Sequence, residues 1–399
     1  MERLSRLSEK FSFAEIAAAI ALASGLLSQA ILLVTGLKTP VVGLALGLLV
    51  LALFFSVRRR AEKNGFVAAA LILPFLLWAT ISVVWSPSEG YVYEKLAGLL
   101  ICGFLFWLPI ISGSIHVASF LRLYFVLTVL ILAFSAYGML RSAGDFYSLS
   151  DAQKSIYLTA GYFGGGLLVI LGFFNVTKTW LADFSLTCFV LLCLLLTGAR
   201  GPLLFGVLIL FVGLIARRRW HSVFALLGIA FSLLLIAQFF SQFDQAAFFI
   251  DRAVVRFSLL FEGELSSRTD LWVQMHRWLS DDAAVVMGYG TGSWGAIVLG
   301  YDERAYPHNI VLELLFENGV LGFLLFISVF FFSIWSAFRT EFPYFVVILA
   351  LLSYEFLNLM KSFTISDARM LFFLMGVLLA ERLRAAREES IAGDGYGYR

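Results

Sequence analysis

The sequence predicts an all-α, polytopic membrane protein, and three observations carry that prediction. Of the 399 residues, 61% are hydrophobic and only 14% are charged, where a water-soluble domain carries about 25% charged residues. The apolar residues are gathered into runs long enough for a helix to cross hydrocarbon about 30 Å thick, which takes about 20 residues. One polar interruption, residues 241–307, separates the earlier runs from the later ones and holds most of the concentrated chemical functionality.

About twelve runs qualify as spans. They lie near 14–35, 40–57, 66–85, 96–112, 117–139, 158–176, 180–196, 202–216, 222–240, 318–337, 343–361 and 367–382. The first is too long for a cleaved leader and reads as the first span. Lys and Arg cluster at Arg3, Arg6 and Lys10, at Arg58 to Arg60 and Lys63, at Arg217 to Arg219, and at Arg382, Arg384 and Arg387. With twelve spans these clusters fall on one side, which the positive-inside rule assigns to the cytoplasm. Both termini are then cytoplasmic and the 241–307 loop faces outward, with shorter outward segments at Ser86–Lys95, Arg141–Lys154 and Thr197–Gly201. The expected organisation is residues 1–240 as nine spans, 241–307 as the loop, and 308–399 as an interfacial helix, three spans and a cytoplasmic tail. Cys102, Cys188 and Cys193 fall inside spans and suggest neither disulfides nor a metal site.

Within the loop, residues 242–261 mix Phe248, Phe249, Val254, Val255 and Phe257 with Asp251, Arg252 and Arg256, as a helix lying along a membrane surface would. A second helix is expected after Ser266 or Ser267, both good N-caps, with Leu271, Trp272, Met275, Trp278 and Leu279 on one apolar face. A third is expected from near Pro307 to Asn318-Gly319, where glycine suits a helix end.

Three residues stand out on chemical grounds. Arg268 falls in the first turn of the second loop helix, where the macrodipole disfavours a cation. A bound diphosphate would supply its partner, and so would a salt bridge to Glu262, Glu264 or Asp270. Arg200 stands in Thr197-Gly198-Ala199-Arg200-Gly201-Pro202, between two spans, with Pro202 suited to a first helical turn. It either snorkels to headgroups or faces a bound group that the flanking glycines let approach. His308 precedes a predicted helix over 309–317, a place that favours the neutral imidazole a general base needs. A hydrogen-bonded interfacial histidine would look the same. His116, His221 and His276 have no ligand-spaced partners. Gly290-Thr291-Gly292-Ser293-Trp294-Gly295 fits a dinucleotide fingerprint by spacing but lacks the surrounding βαβ unit, so its glycines are read as shaping a turn between helices. Glu355, inside the eleventh run with Asn358 close by, is either a functional intramembrane carboxylate or a structural partner for Arg200 or Arg369. No paired-aspartate motif suited to a divalent metal is seen, apart from Asp281-Asp282, whose side chains diverge on a helix.

Together TGARGPLL, SSRTDLW, GYGTGSWG and YPHNIVLELLFENGVLGFLLF, in this order and topology, resemble the O-antigen ligase and polymerase superfamily over residues 190–335. The resemblance implies a bacterial inner-membrane glycosyltransferase of the GT-C type with a periplasmic active site. Its donor is a glycan on undecaprenyl diphosphate. A ligase passes the glycan to the lipid A core, a polymerase to another lipid-linked repeat unit. The family's two arginines and histidine correspond to Arg200 and Arg268, as diphosphate ligands, and His308, as catalytic base, with Asn309 and Glu355 as possible supporting residues. The single dominant loop looks more like that of a ligase. The implied reaction is inverting and needs no metal or other cofactor. The expected partners are the lipid-linked glycan, the acceptor and membrane lipid, with no nucleic acid. A secondary transporter would also explain many spans and Glu355, but would be expected to show repeats or broken helices around a midplane site.

Overall fold

The computed structural model describes residues 11–60, 63–113, 115–141, 156–229, 282–338, 340 and 342–394. Among these the regular structure is helical, and eight helices are long and apolar enough to cross a membrane. They are α1 (Phe13–Thr35), α2 (Val41–Arg60), the α3–α4 segment Gly65–Trp85, α5 (Tyr91–Ser112), α6 (Val117–Arg141), α7 (Ile156–Phe173), α8 (Trp180–Thr197) and α12 (Ile310–Ala337). Three shorter apolar helices accompany them, α9 (Arg200–Ala216), α10 (Trp220–Ile229) and α13 (Phe345–Leu359). Two further helices are α11 (Asp282–Met287) and α14 (Arg369–Asp394). The loop helices expected over 242–261 and after Ser267, and with them Arg268, lie outside the described residues.

Large apolar side chains stand exposed along these helices, among them Leu44, Phe54, Leu130, Leu208 and Leu324. In water such surface would be costly. Against lipid it is the ordinary outer face of a span.

The chain divides into two units. The first comprises Met1–Leu22, Leu44–Phe120 and Ser266–Arg399, and the second Ala23–Gly43 and Leu121–Leu265. In the second unit α7 and α9 pack backbone to backbone: a Cβ added at Gly206 would lie 2.8 Å from Gly165 Cα, and one at Gly213 would lie 2.8 Å from the Gly172 carbonyl carbon. Small residues allow this approach, which gains dispersion where lipid offers no hydrophobic driving force. Thr179 caps α8 by accepting from the Ala182 N–H, and Gly198 closes it in the left-handed conformation.

In the first unit α14 lies against α5 closely enough that a Cβ at Gly376 would meet Phe106 O at 2.2 Å. Its apolar half, Met370 to Leu379, is buried. Phe120 and Phe373 pack at a tilt with ring centroids 4.5 Å apart, and Phe326 packs against both Phe75 and Phe372.

The run expected at 66–85 is among the spans, as Gly65–Trp85, but its helix is interrupted. Lys63–Ala70 ends, α4 restarts over Leu73–Ile81, and a 3₁₀ turn follows at Ser82–Trp85. Pro74, in the first turn of α4, has no N–H to carry the ladder through. A second difference concerns Ser86–Lys95, expected as a polar outward segment. Its last five residues open α5, and Lys95 is 1% exposed.

Candidate active site

His308 belongs to the first unit and stands immediately before α12. Asn309, extended at φ −153 and ψ 113, caps that helix, its side-chain oxygen accepting from Val311 N and Leu312 N at 3.0 and 3.2 Å. The cap satisfies donors that the helix start would otherwise leave unpaired. His308 itself adopts φ 57, a conformation uncommon for residues with a Cβ, and its ring lies 4.5 Å from that of Tyr306, centroid to centroid. Behind this loop, Ala305 joins Trp294 and Phe316 in a small apolar core.

Helix α12 breaks one short stretch later. Gly319 has φ 66 and ψ −176, a region open essentially to glycine alone. Three carbonyls next to the break find partners elsewhere in the unit: Phe316 O accepts from Tyr289 N at 2.8 Å, Glu317 O from Gly290 N at 2.9 Å, and Asn318 O from Trp78 Nε1 at 2.8 Å. Two of those donors come from the glycine-rich turn. A Cβ at Gly288 would meet Glu317 O at 2.3 Å, and one at Gly290 would meet Ser82 O at 2.6 Å. The glycines are therefore needed for backbone contact with α12 and with the 3₁₀ turn after α4, which agrees with a turn and not with a nucleotide cradle. Thr291 completes the join through Ser82 Oγ at 2.9 Å, Ala79 O at 2.9 Å and the Asn318 amide at 3.0 Å.

Between cap and break, α12 presents Glu313 and Glu317, one turn apart and so on one face. Both reach Lys95 of α5. Its Nζ lies 2.5 Å from Glu313 Oε1 and 2.7 Å from each carboxylate oxygen of Glu317. The side chains are 0% and 1% exposed. Burying these charges is tolerable only because further donors fill the carboxylates: Glu313 takes the Thr364 hydroxyl and the Ile365 N–H, and Glu317 takes the Gly292 N–H at 2.9 Å. Thr364 in turn forms a capping box with Asp367, and Asp367 pairs with the exposed Arg304 at 2.6 Å. Sequence reasoning missed this triad. Its one local signal is the i, i+4 spacing of the two glutamates in a helix otherwise apolar.

A second brace holds the loop before His308. Asp302 accepts from Ser88 Oγ at 2.6 Å, Glu89 N at 2.8 Å and Gly90 N at 2.6 Å, so it caps the start of α5 from a distant part of the chain. The Ser88 hydroxyl first, then the backbone N–H groups, hold its carboxyl below the usual aspartate range.

Arg200 belongs to the second unit. It is the first residue of α9, half-buried, after Gly198 (φ 67) and Ala199 (φ −79, ψ 95). Thr197 folds the turn by accepting from Ala199 N at 3.2 Å, and a Cβ on Gly161 of α7 would run into Ala199 at 2.2 Å. A guanidinium at a helix start, on a turn pinned by a glycine contact, is a fit place for an anion. Glu355 is buried in α13, where Asn358 donates to Tyr354 O at 2.8 Å. Of the expected site residues, then, the structure brings His308 and Asn309 together at one helix start, seats Glu355 within another helix of the same unit, and sets Arg200 at a helix start of the second unit.

Residues 185–327 match the family model described as O-antigen ligase. The chain carries a domain of the O-antigen ligase/polymerase superfamily. The O-antigen ligase match takes in Arg200, Arg268, His308, both glutamates of the triad and the break at Gly319. That segment is similar to the membrane ligase and polymerase family of lipopolysaccharide biosynthesis. No curated protein matches the sequence significantly.

Proposed function

We propose that the protein is an O-antigen ligase of the GT-C type, moving a glycan from undecaprenyl diphosphate to the lipid A core at the periplasmic face of the bacterial inner membrane. The observation that carries this reading is the capped helix start at His308-Asn309, braced by the buried triad and lying inside the segment that matches the ligase family.

The acceptor hydroxyl attacks the anomeric carbon while the bond from that carbon to the diphosphate oxygen breaks. Its electron pair leaves with undecaprenyl diphosphate, and the hydroxyl proton passes to His308. A single displacement of this kind inverts the anomeric centre. Arg200 and Arg268 are assigned to the developing charge on the diphosphate, since forked guanidinium donors match its oxygens. Two such residues perform the charge stabilisation for which other transferases use a divalent ion.

The test is transfer by purified protein given a defined undecaprenyl-diphosphate-linked repeat unit together with lipid A core. Product on the core supports the ligase. Product on a second lipid-linked repeat makes it a polymerase, and no product with either acceptor overturns the assignment. Full activity in both Arg200→Lys and Arg268→Lys would remove the case for bidentate diphosphate binding.

A further inference from the structure

The second unit holds a cationic cluster that glycan transfer does not use. It forms where α7 ends, α8 begins and α9 ends. Arg217 donates to Gly172 O at 3.3 Å and to Asn175 Oδ1, and Arg219 donates to that same Asn175 oxygen. Two guanidiniums thus converge on one neutral amide. Burial, and then the neighbouring Arg219 charge, push the Arg217 guanidinium below its ordinary range. Among the described residues these arginines meet one carboxylate, Asp183, 3.8 Å from Arg219, and Asp183 already accepts from the Thr177 N–H and hydroxyl. Arg218 lies exposed between the two at φ 54, and Lys178 stands exposed just before the cap of α8. The partial positive charge of the α8 N-terminus adds to the excess. An anion is what this end of the unit lacks.

The neighbourhood says what kind of anion. Trp180 and Trp220 are 54% and 49% exposed, and Trp180 meets the His221 ring edge-on at 5.1 Å. Exposed tryptophans beside arginines mark the headgroup level of a bilayer. From Thr179 an open groove of ≈ 660 Å³ follows α8, lined by Leu181, Ala182, Ser185, Leu186 and Phe189. Ten residues of helix give it a length of about 15 Å. Thr177 ties groove to cluster, its hydroxyl lying within hydrogen-bond reach of both Thr179 O, at the mouth of the groove, and Asp183 Oδ1. A free phosphate has no use for an apolar groove, and a neutral lipid has none for converging arginines.

We propose that this end of the second unit binds one anionic phospholipid, its phosphate on Arg217 and Arg219 and an acyl chain along the α8 groove. If the arginines only set topology, they would discriminate little between headgroups. If they form a site, two of them near the surface favour the anionic lipid by about 30-fold.

The experiment places the full-length protein in nanodiscs of equal parts phosphatidylglycerol and phosphatidylcholine, extracts it, and identifies retained lipid by native mass spectrometry. Phosphatidylglycerol should be retained in large excess, and Arg217→Gln with Arg219→Gln should bring the ratio close to one. Leu186→Trp leaves every charge in place but fills the groove, and should lower phosphatidylglycerol retention while the protein stays folded. Equal retention of the two lipids by the unaltered protein would overturn the proposal, as would unchanged retention in Leu186→Trp. Inorganic phosphate should protect the detergent-solubilised protein against heating far less than phosphatidylglycerol does. Equal protection would assign the cluster to a free anion and overturn the lipid.

Discussion

Replacing Lys95 by methionine keeps most of the side-chain volume and removes the cation that pairs with both Glu313 and Glu317. Both carboxylates are out of solvent, so neither water nor salt can take over the screening. Removing one partner of a buried ion pair costs about 3–5 kcal/mol, because the remaining charge is left uncompensated. Here two carboxylates are left one turn apart on the same helix face, so the upper part of that range applies. At about 2.1 cal/mol/K of unfolding entropy per residue, a chain of 399 residues loses about 1 °C per kcal/mol, so the melting temperature in detergent should fall by about 5 °C. The triple variant Lys95→Met, Glu313→Gln, Glu317→Gln is the informative comparison. It removes all three charges, while glutamine oxygens still accept from Gly292, Thr364 and Ile365, so most of the loss should be recovered. The assay is fluorescence-detected gel filtration after graded heating. If Lys95→Met melted within about 2 °C of the unaltered protein, the argument from uncompensated buried charge would be refuted.

Three further outcomes are expected. Gly319→Ala should destabilise by about 3 kcal/mol or more, since strain at this φ and ψ adds to a Cβ 2.2 Å from Val286 O; Gly300→Ala, with φ +76 but nothing within 4 Å, should cost about 1 kcal/mol, and equal melting of the two would contradict the backbone-contact account. Asp302 has a folded pKa below its unfolded value of about 3.9, so its contribution is complete above that pH and is lost as pH falls through the folded pKa; hydrogen-exchange protection of the Glu89 and Gly90 amides should drop in that acid window, and protection in Asp302→Asn should be low and flat throughout. His308→Gln should abolish turnover while donor binding persists, since glutamine can hydrogen-bond the acceptor hydroxyl but cannot take its proton; near-normal turnover would make His308 a positioning group.

What the sequence determined by itself was local. Runs of apolar residues gave the membrane class, because span length follows from bilayer thickness and rise per residue. Pro307 and Asn318-Gly319 marked the ends of a short helix, since helix starts and stops depend on a few adjacent residues. The motifs around Arg200, Arg268 and His308 pointed to the family that the matched segment supports. Pro74 was a visible breaker within the run at 66–85, and hydropathy alone hid the interruption it causes.

The tertiary structure decided the rest, because it turned on pairs that are remote in the chain. Lys95 reads as the polar edge of a span until Glu317, 222 residues later, is found beside it. The glycines of residues 288–295 have spacing but no stated purpose until the broken carbonyls of α12 arrive next to them. Arg217 and Arg219 look like any cytoplasmic basic cluster until the chain end of α7 draws both onto Asn175. Hydropathy and capping are energies of neighbouring residues, whereas the pairing of a buried charge is settled only when packing has removed its water and left a partner within reach.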